Sequence, residues 1–434
     1  MHGRPFPEAR QGRSAKLRPQ QPIEIRFRGV RMALAESTVE SQALSQRPLS
    51  LIFYDLNDPL DAGLWAGTAA HIIHHLREAG HKVSVVGPQL PTLRRVSTSL
   101  FYHFYNRVFR KYYHVDRDRF LTWVFTQVGN LKLFLHARAD GVITLSPPFT
   151  AYLRSREPIY LLHDGTWSQM LETYPHLSPS RMPSRIVEGG KKLDNITFRR
   201  SDVSYVMASK WAADRATSDY GIDPKKMSVL PFGANFDVDP SDSEVAAGIS
   251  ARGRNVCQLL FVGRDWERKG GPLAVAICCA LRGLGVEVEL HVVGCSPTGL
   301  TDFVHVHGLL RKTDPAQREL LQRLYTESDF FLLPASAEAQ GIVFNESAAY
   351  GLPVIATNVG GISSVVQHDV WGVLFLPDTP PEAYAQRIAS IYKDRELYLN
   401  MCWSARRDYV SRLSGSRYVA QLVNIIRRHQ ANRS

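Results

Sequence analysis

The chain has 434 residues, a formal net charge of +11 and a pI near 9.4, with 44% hydrophobic and 21% charged residues. That length predicts two or three domains with large cores, and the composition is that of a globular enzyme. The positive charge favours nucleotide phosphates, acidic membrane surfaces or nucleic acid as partners without choosing among them. Five cysteines (Cys257, Cys278, Cys279, Cys295, Cys402) are odd in number and form no CxxC pair, which excludes a disulfide framework and points to a reducing compartment. No apolar run reaches about 18 residues, so no transmembrane helix is expected. The first residues lack the apolar core of a signal peptide, and a cytosolic protein is predicted.

Residues 1–47 carry nine Lys/Arg against four Asp/Glu with little apolar periodicity. They read as a disordered basic arm, either a tether for anionic surfaces or a dispensable tail, with Met32 as an alternative start. The first domain, 48–235, opens with an apolar strand at Leu49–Tyr54, a loop, a helix over 68–79 and a second strand at His81–Val86. Gly67 and Thr68 stand at that helix start. There, backbone N–H groups and the helix dipole suit a phosphate or a sugar hydroxyl, while Thr68 also fits a plain N-cap.

Residues 94–125 interleave aromatic and basic side chains, with seven Lys/Arg against two Asp in 94–120. At helical spacing Phe101, Tyr105 and Phe109 share one side, with Arg107, Arg110 and Lys111 largely elsewhere. Two readings stand level: a peripheral contact with an anionic membrane or acidic acceptor, and an amphipathic helix packed on its own domain. No RNA-binding motif accompanies the patch, so no nucleic-acid partner is expected. Short apolar strands at 141–145, 158–162, 203–207 and 227–230 resume the rhythm of a parallel sheet. His163 and Asp164 directly follow one of them; they suit contact with a substrate, or a turn built on Asp-Gly.

The Asp/Ser/Gly-rich stretch 236–255 reads as a linker. A second domain, 256–394, begins with a strand over 256–262 that runs into Gly263-Arg264-Asp265-Trp266-Glu267-Arg268-Lys269-Gly270-Gly271. Helix 272–284, strands over 286–293 and 303–307 and helix 314–327 continue the alternation. The apolar run Phe330–Leu333 stops at Pro334; a small-residue loop then carries Glu338 and Gly341, and a short helix over 342–350 carries Glu346. Three helices over 380–393, 395–412 and 416–429 finish the chain, and the segment 395–434 is expected to pack back on the first domain. The architecture predicted is α/β, two Rossmann-like domains facing across a cleft.

Arg264 and Lys269 flank a glycine-rich turn after a strand, where cations suit a diphosphate. Glu346, at a helix start on the same edge, suits two neighbouring hydroxyls such as those of a ribose. Glu338 suits sugar hydroxyls, although a carboxylate pair also fits acid/base hydrolysis at the right separation. No cluster has metal-ligand spacing and no Asp-x-Asp motif is present, so no metal is expected.

The spacing Glu338-x7-Glu346, with LLFVGRDWERKGG (259–271), ELHVVGC (289–295), the run over 330–361 and SKWAADRATSDYGIDPKKMSVLPFGAN (209–235), resembles the retaining GT-B glycosyltransferases of family 4. WAGT (65–68) and LLHDGTW (161–167) resemble it more weakly, and the likeness covers roughly 49–410. It implies a hexosyltransferase using a nucleotide-diphosphate sugar as co-substrate, with no further cofactor, and a glycan, lipid-linked or small-molecule acceptor. On that resemblance Arg264 and Lys269, with the Gly263 turn, hold the donor diphosphate, and Glu346 binds the ribose. Glu338 and the N–H groups near Gly341 and Ile342 contact the transferred sugar. Gly67 and Thr68 approach the diphosphate from the other domain, and His163 or Asp164 sits by the anomeric carbon. Gln340 departs from the family pattern, which has an apolar residue there, and is expected to alter donor choice or weaken activity. A catalytically silent binding protein and a nucleotide-sugar epimerase are the competing readings.

Overall fold

The computed structural model describes residues 47–61, 67–236, 238–253 and 255–431. Apart from Arg47, the basic arm over 1–47 lies outside the described residues, as does the Trp65-Ala66 half of WAGT. The described residues from Pro48 to Ala431 form one compact unit.

Among the described residues, twelve strands form two six-stranded sheets, and every strand pairing within them is parallel. The first sheet comprises β1 (Ser50–Tyr54), β2 (Lys82–Val86), β3 (Gly141–Thr144), β4 (Ile159–His163), β5 (Val203–Met207) and β6 (Met227–Val229), in the order β2-β1-β3-β4-β5-β6. The second comprises β7 (Cys257–Val262), β8 (Val288–Val293), β9 (Val304–Gly308), β10 (Phe330–Leu333), β11 (Val354–Thr357) and β12 (Gly372–Phe375), in the order β12-β11-β10-β7-β8-β9. Helices cover both faces, so central strands are largely apolar instead of alternating. All four residues of β10 are fully buried, and so is the whole of β4.

In each sheet the chain starts near the centre, builds towards one edge, and then returns to build towards the other. The reversal falls between β1 and β3 in the first sheet and between β7 and β10 in the second. Loops leaving the C-terminal ends of strands flanking such a reversal diverge, and the crevice between them is where α/β sheets bind ligands. Gly67, Gly263–Lys269 and Glu338 all lie in loops that leave these strands.

Three segments differ from their sequence reading. The stretch read as a linker contains a helix, Asp242–Ala251, started by a capping box of Ser241 and Glu244, and it buries Val245 and Ile249 in the second core. The C-terminal segment divides between the two domains. Helix Arg395–Asp408 packs Tyr398, Met401 and Cys402 into the second core, whereas Tyr418, Leu422 and Ile426 of helix Gly415–Ala431 join a core with β1 and helix Thr68–Glu78.

The basic aromatic segment shows the third difference. Helix Pro91–Phe109 ends where Arg110 takes a positive φ of 54°. The chain then folds back, stacking Tyr113 on Phe101 and Tyr105 at 4.9 and 4.8 Å between ring centroids. Phe109 shares that side, its ring centroid 5.6 Å from that of Tyr105, but it stands at the helix end and is 55% exposed. The outward face carries Leu100, Phe104 and Val108, and is therefore apolar as well as basic.

Candidate active site

The loop after β7 coils through a turn in which Lys269 N–H donates to Asp265 O at 3.0 Å. A Cβ on Gly263 would lie 2.8 Å from Lys269 Cγ, so only glycine there lets the lysine stem lie across the strand end. Lys269 is buried and its ammonium meets the Glu338 carboxylate. Arg268 stands beside it: Nη1 donates to Ala337 O at 2.7 Å and lies 3.7 Å from Glu338. Its guanidinium also lies 5.2 Å from the ring centroid of Tyr174, which belongs to the first domain. Arg264 is exposed. Of the two cations singled out in this loop, the structure therefore brings Lys269 to the carboxylate and leaves Arg264 outside, with Arg268 at Lys269's side.

Gly341, at φ 79°, and Ile342 open helix Ile342–Ala349, which carries Glu346 one turn in. Glu346 is buried, pairs with Lys312 and accepts the Tyr325 hydroxyl at 3.0 Å. Each carboxylate of the Glu338-x7-Glu346 pattern thus has its own lysine. Lys312 Nζ also donates to Asn235 O at 3.1 Å, and Asn235 Nδ2 donates to Thr68 Oγ1 at 3.3 Å. Thr68, and with it Gly67 at the N-cap of helix Thr68–Glu78, is therefore joined to Glu346 across the domain junction through Asn235 and Lys312.

His163 and Asp164 leave the end of β4. His163 Nδ1–H donates to Leu145 O at 2.8 Å, which leaves Nε2 unprotonated in the neutral ring. Burial, helped by the Arg117 cation, lowers its pKa to about 3, so the imidazole is neutral throughout the physiological range. Asp164 Oδ1 lies 4.0 Å from His163 Nε2 and is the more accessible side chain, 28% against 6%. Burial raises its pKa to about 6, with the charge of Glu338 from the other domain adding to the rise. Burial and the same two carboxylates, Glu338 and Asp164, also hold the Tyr174 phenol above its usual range.

Gln340 occupies a different place from the sugar-facing one expected of it. Its Nε2 donates to Phe232 O at 3.0 Å and its Oε1 accepts from Phe232 N–H at 2.8 Å. Asn345 Nδ2 donates to the same carbonyl. Gln340 therefore ties the Glu338 loop to the strand of chain that leaves the first domain. Gln340→Ala is expected to destabilise by about 1–3 kcal/mol, because buried backbone groups lose their partners. A denaturant titration reads that loss, with donor preference across a nucleotide-sugar panel unchanged; altered preference at unchanged stability would return Gln340 to the sugar.

Sequence reasoning found no cluster with metal-ligand spacing. Outside the junction, donor atoms of His74, His75 and Glu78 lie within 4.8 Å of one another, with Glu78 pairing to the two rings at 3.3 and 3.2 Å. Reasoning from sequence also missed Arg268, Lys312, Asn235 and Tyr174. Arg268 was within reach, one residue from Lys269 in the same turn. Lys312 and Tyr174 carry no local signature, since only packing brings them to Glu346 and Arg268.

Residues 257–394 match the family described as glycosyl transferases group 1. This part of the chain, which holds the second sheet, is similar to the group 1 glycosyl transferases. A D-inositol 3-phosphate glycosyltransferase from Geodermatophilus obscurus is 32% identical over 200 residues, which are 43% of this chain and 44% of that protein. The chain spans about half the length of the curated relatives it matches. Among solved structures, sucrose-phosphate synthase from Thermosynechococcus elongatus superposes with a TM-score of 0.63 at 15% identity, covering 89% of this chain and 100% of that one. HepE from Anabaena, in complex with UDP-glucose, superposes with a TM-score of 0.52 at 17% identity over 87% of this chain and 99% of its own. The fold is GT-B, and the second domain supplies Lys269, Arg268, Glu338 and Glu346 to the junction.

Proposed function

We propose that the chain is a retaining, metal-independent glycosyltransferase that moves a hexose-type sugar from a nucleotide-diphosphate sugar to an acceptor hydroxyl. The observation that carries this reading is the convergence of Lys269, Arg268 and Glu338 of the second domain with Asp164 of the first domain. Cleaving the donor builds negative charge on the leaving diphosphate and positive charge on the sugar ring. Two adjacent cations oppose the first and a carboxylate opposes the second, and neither task requires a metal. Glu346 would take the ribose hydroxyls in place of Lys312. Gly67 and Thr68 would meet the diphosphate from the opposite side, and Gly341 and Ile342 would offer N–H groups to the transferred sugar. A fold neighbour crystallised with UDP-glucose supports a nucleoside-diphosphate donor.

The acceptor belongs to the same proposal, as a glycan, a lipid-linked molecule or a small molecule. So does a peripheral contact of residues 94–125 with an anionic membrane on its cytoplasmic side. The exposed apolar face of helix Pro91–Phe109 supports that contact, and five cysteines without a disulfide support the compartment. No helix among the described residues is long and apolar enough to cross a membrane.

Donor hydrolysis without acceptor tests the reading, and it should survive a chelator. Failure to bind any nucleoside diphosphate would remove the enzyme, and release of an altered free sugar would select an epimerase. The pH profile separates His163 from Asp164. The raised Asp164 pKa of about 6 means that its charge is present above that pH and lost below it. If the carboxylate faces the developing ring charge, kcat/KM falls as pH drops through about 6, and Glu338→Gln moves that limb to lower pH. A flat profile between pH 7 and 5 would leave the neutral His163 at the anomeric carbon.

A further inference from the structure

Helix Arg119–Leu135 packs on its domain through Thr122, Phe125, Thr126, Gly129 and Leu133. Its opposite side carries Phe120, Trp123, Leu131 and Phe134, which are 62%, 47%, 59% and 60% exposed. These positions recur at helical spacing, so they make a stripe of large apolar groups instead of scattered exposed residues. At the N-terminal end of the stripe lies a cavity of about 490 Å³ whose walls include Arg119, Phe120, Trp123, Arg185 and Lys192. Among the described residues neither Arg119 nor Lys192 forms an ion pair, and Arg185 remains 65% exposed while it holds Asp118 at 2.8 Å. The acid in the wall, Glu188, is matched by Lys191 at 3.2 Å. A cationic hollow walled by the aromatic rings of Phe120, Trp123 and Tyr152, continuous with an apolar stripe, is chemically divided in the way a bilayer interface is.

We propose that this face docks on an anionic lipid bilayer, with Phe120 and Trp123 in the interface and a lipid phosphate in the cavity between Arg119, Arg185 and Lys192. Arg119, Phe120 and Trp123 belong to the 94–125 segment, and Arg185 and Lys192, which lie beyond it, complete a headgroup pocket that adds to the segment's general attraction. Each basic residue near an anionic surface strengthens binding roughly fivefold, so a few of them with two interfacial rings suffice for salt-sensitive peripheral binding. The inference rests on the membrane part of the reading above and is independent of the donor chemistry.

The experiment is co-sedimentation of the full chain with phosphatidylcholine vesicles, with and without phosphatidylglycerol. Binding is expected to anionic vesicles at least about tenfold over neutral ones, and to weaken as salt rises. Arg119→Gln with Lys192→Gln, and separately Phe120→Ser with Trp123→Ser, should each lower it by about tenfold, with donor hydrolysis in the absence of vesicles unchanged. Variants that bind as the wild type does would overturn this site while leaving the contact through helix Pro91–Phe109 standing. A wild-type chain that binds no vesicle would sink both. Saturable binding of inorganic phosphate without vesicle binding would make the cavity a small-anion site and overturn the lipid assignment.

Discussion

Lys269→Ala is expected to slow donor turnover by about 10²–10³-fold, equivalent to about 2.7–4 kcal/mol of lost transition-state stabilisation. Lys269 is buried beside Glu338, where little water competes for the charge that builds on a leaving diphosphate. That charge grows as the glycosidic bond breaks, so the loss should fall mainly on kcat and less on KM. Arg268→Ala is expected to cost less, because Arg268 lies 3.7 Å from Glu338 and spends one N–H on Ala337 O. Arg264→Ala should stay within about threefold of wild type, since an exposed cation is screened by solvent and salt. Removing Lys269 also leaves Glu338 with Arg268 as its remaining cation, so Lys269→Ala combined with Glu338→Ala separates lost catalysis from a repelled donor. Single-turnover hydrolysis makes the measurement, and a Lys269→Ala protein that keeps near wild-type kcat would refute the assignment.

Trp371→Ala is expected to destabilise the second domain by about 3–5 kcal/mol. The indole is fully buried in the second core and its Nε1–H donates to Asp408 Oδ2 at 2.8 Å. Asp408 in turn holds Arg412 at 2.6 Å, and Arg412 reaches the carbonyls of Ser364 and Val365 at 2.8 and 2.6 Å. The substitution therefore opens a cavity and also loosens the turn at Tyr409–Leu413, through which the chain returns to the first domain. Trp371→Phe keeps most of the volume, and Arg412 still satisfies Asp408, so about 1–2 kcal/mol is expected. Denaturant unfolding should resolve the effect in one transition of a two-domain curve. A Trp371→Ala midpoint close to wild type would show that the core collapses around the gap.

Much of the fold is legible because its signals are local. Phe330–Leu333 reads as a central strand since a parallel strand covered on both faces forms a near-continuous apolar run. Gly341 and Glu346 mark the short helix because a positive φ at its start admits glycine most easily. The loop from Gly263 to Gly271 reads as an anion site because glycines and cations follow a strand directly. Elsewhere the deciding neighbour is far along the chain. Gln340 meets Phe232 across 108 positions and Lys312 meets Glu346 across 34, and no local pattern encodes either meeting.

Read without coordinates, the chain already specifies two parallel α/β sheets, the crevice edge that gathers their loops, and the residues Lys269, Glu338 and Glu346. These follow from periodicity, from glycine and proline placement, and from charge beside a strand end, all of which act over a few residues. Packing alone decides that Arg268 takes the inward place while Arg264 faces solvent, that Thr68 joins Glu346 through Asn235 and Lys312, and that Gln340 serves the backbone of Phe232. It also turns Leu100, Phe104, Phe120 and Trp123 outward. The physical reason is that the face a side chain presents depends on where the chain doubles back, as it does after Arg110, and on which partner across the domain junction neutralises a buried charge.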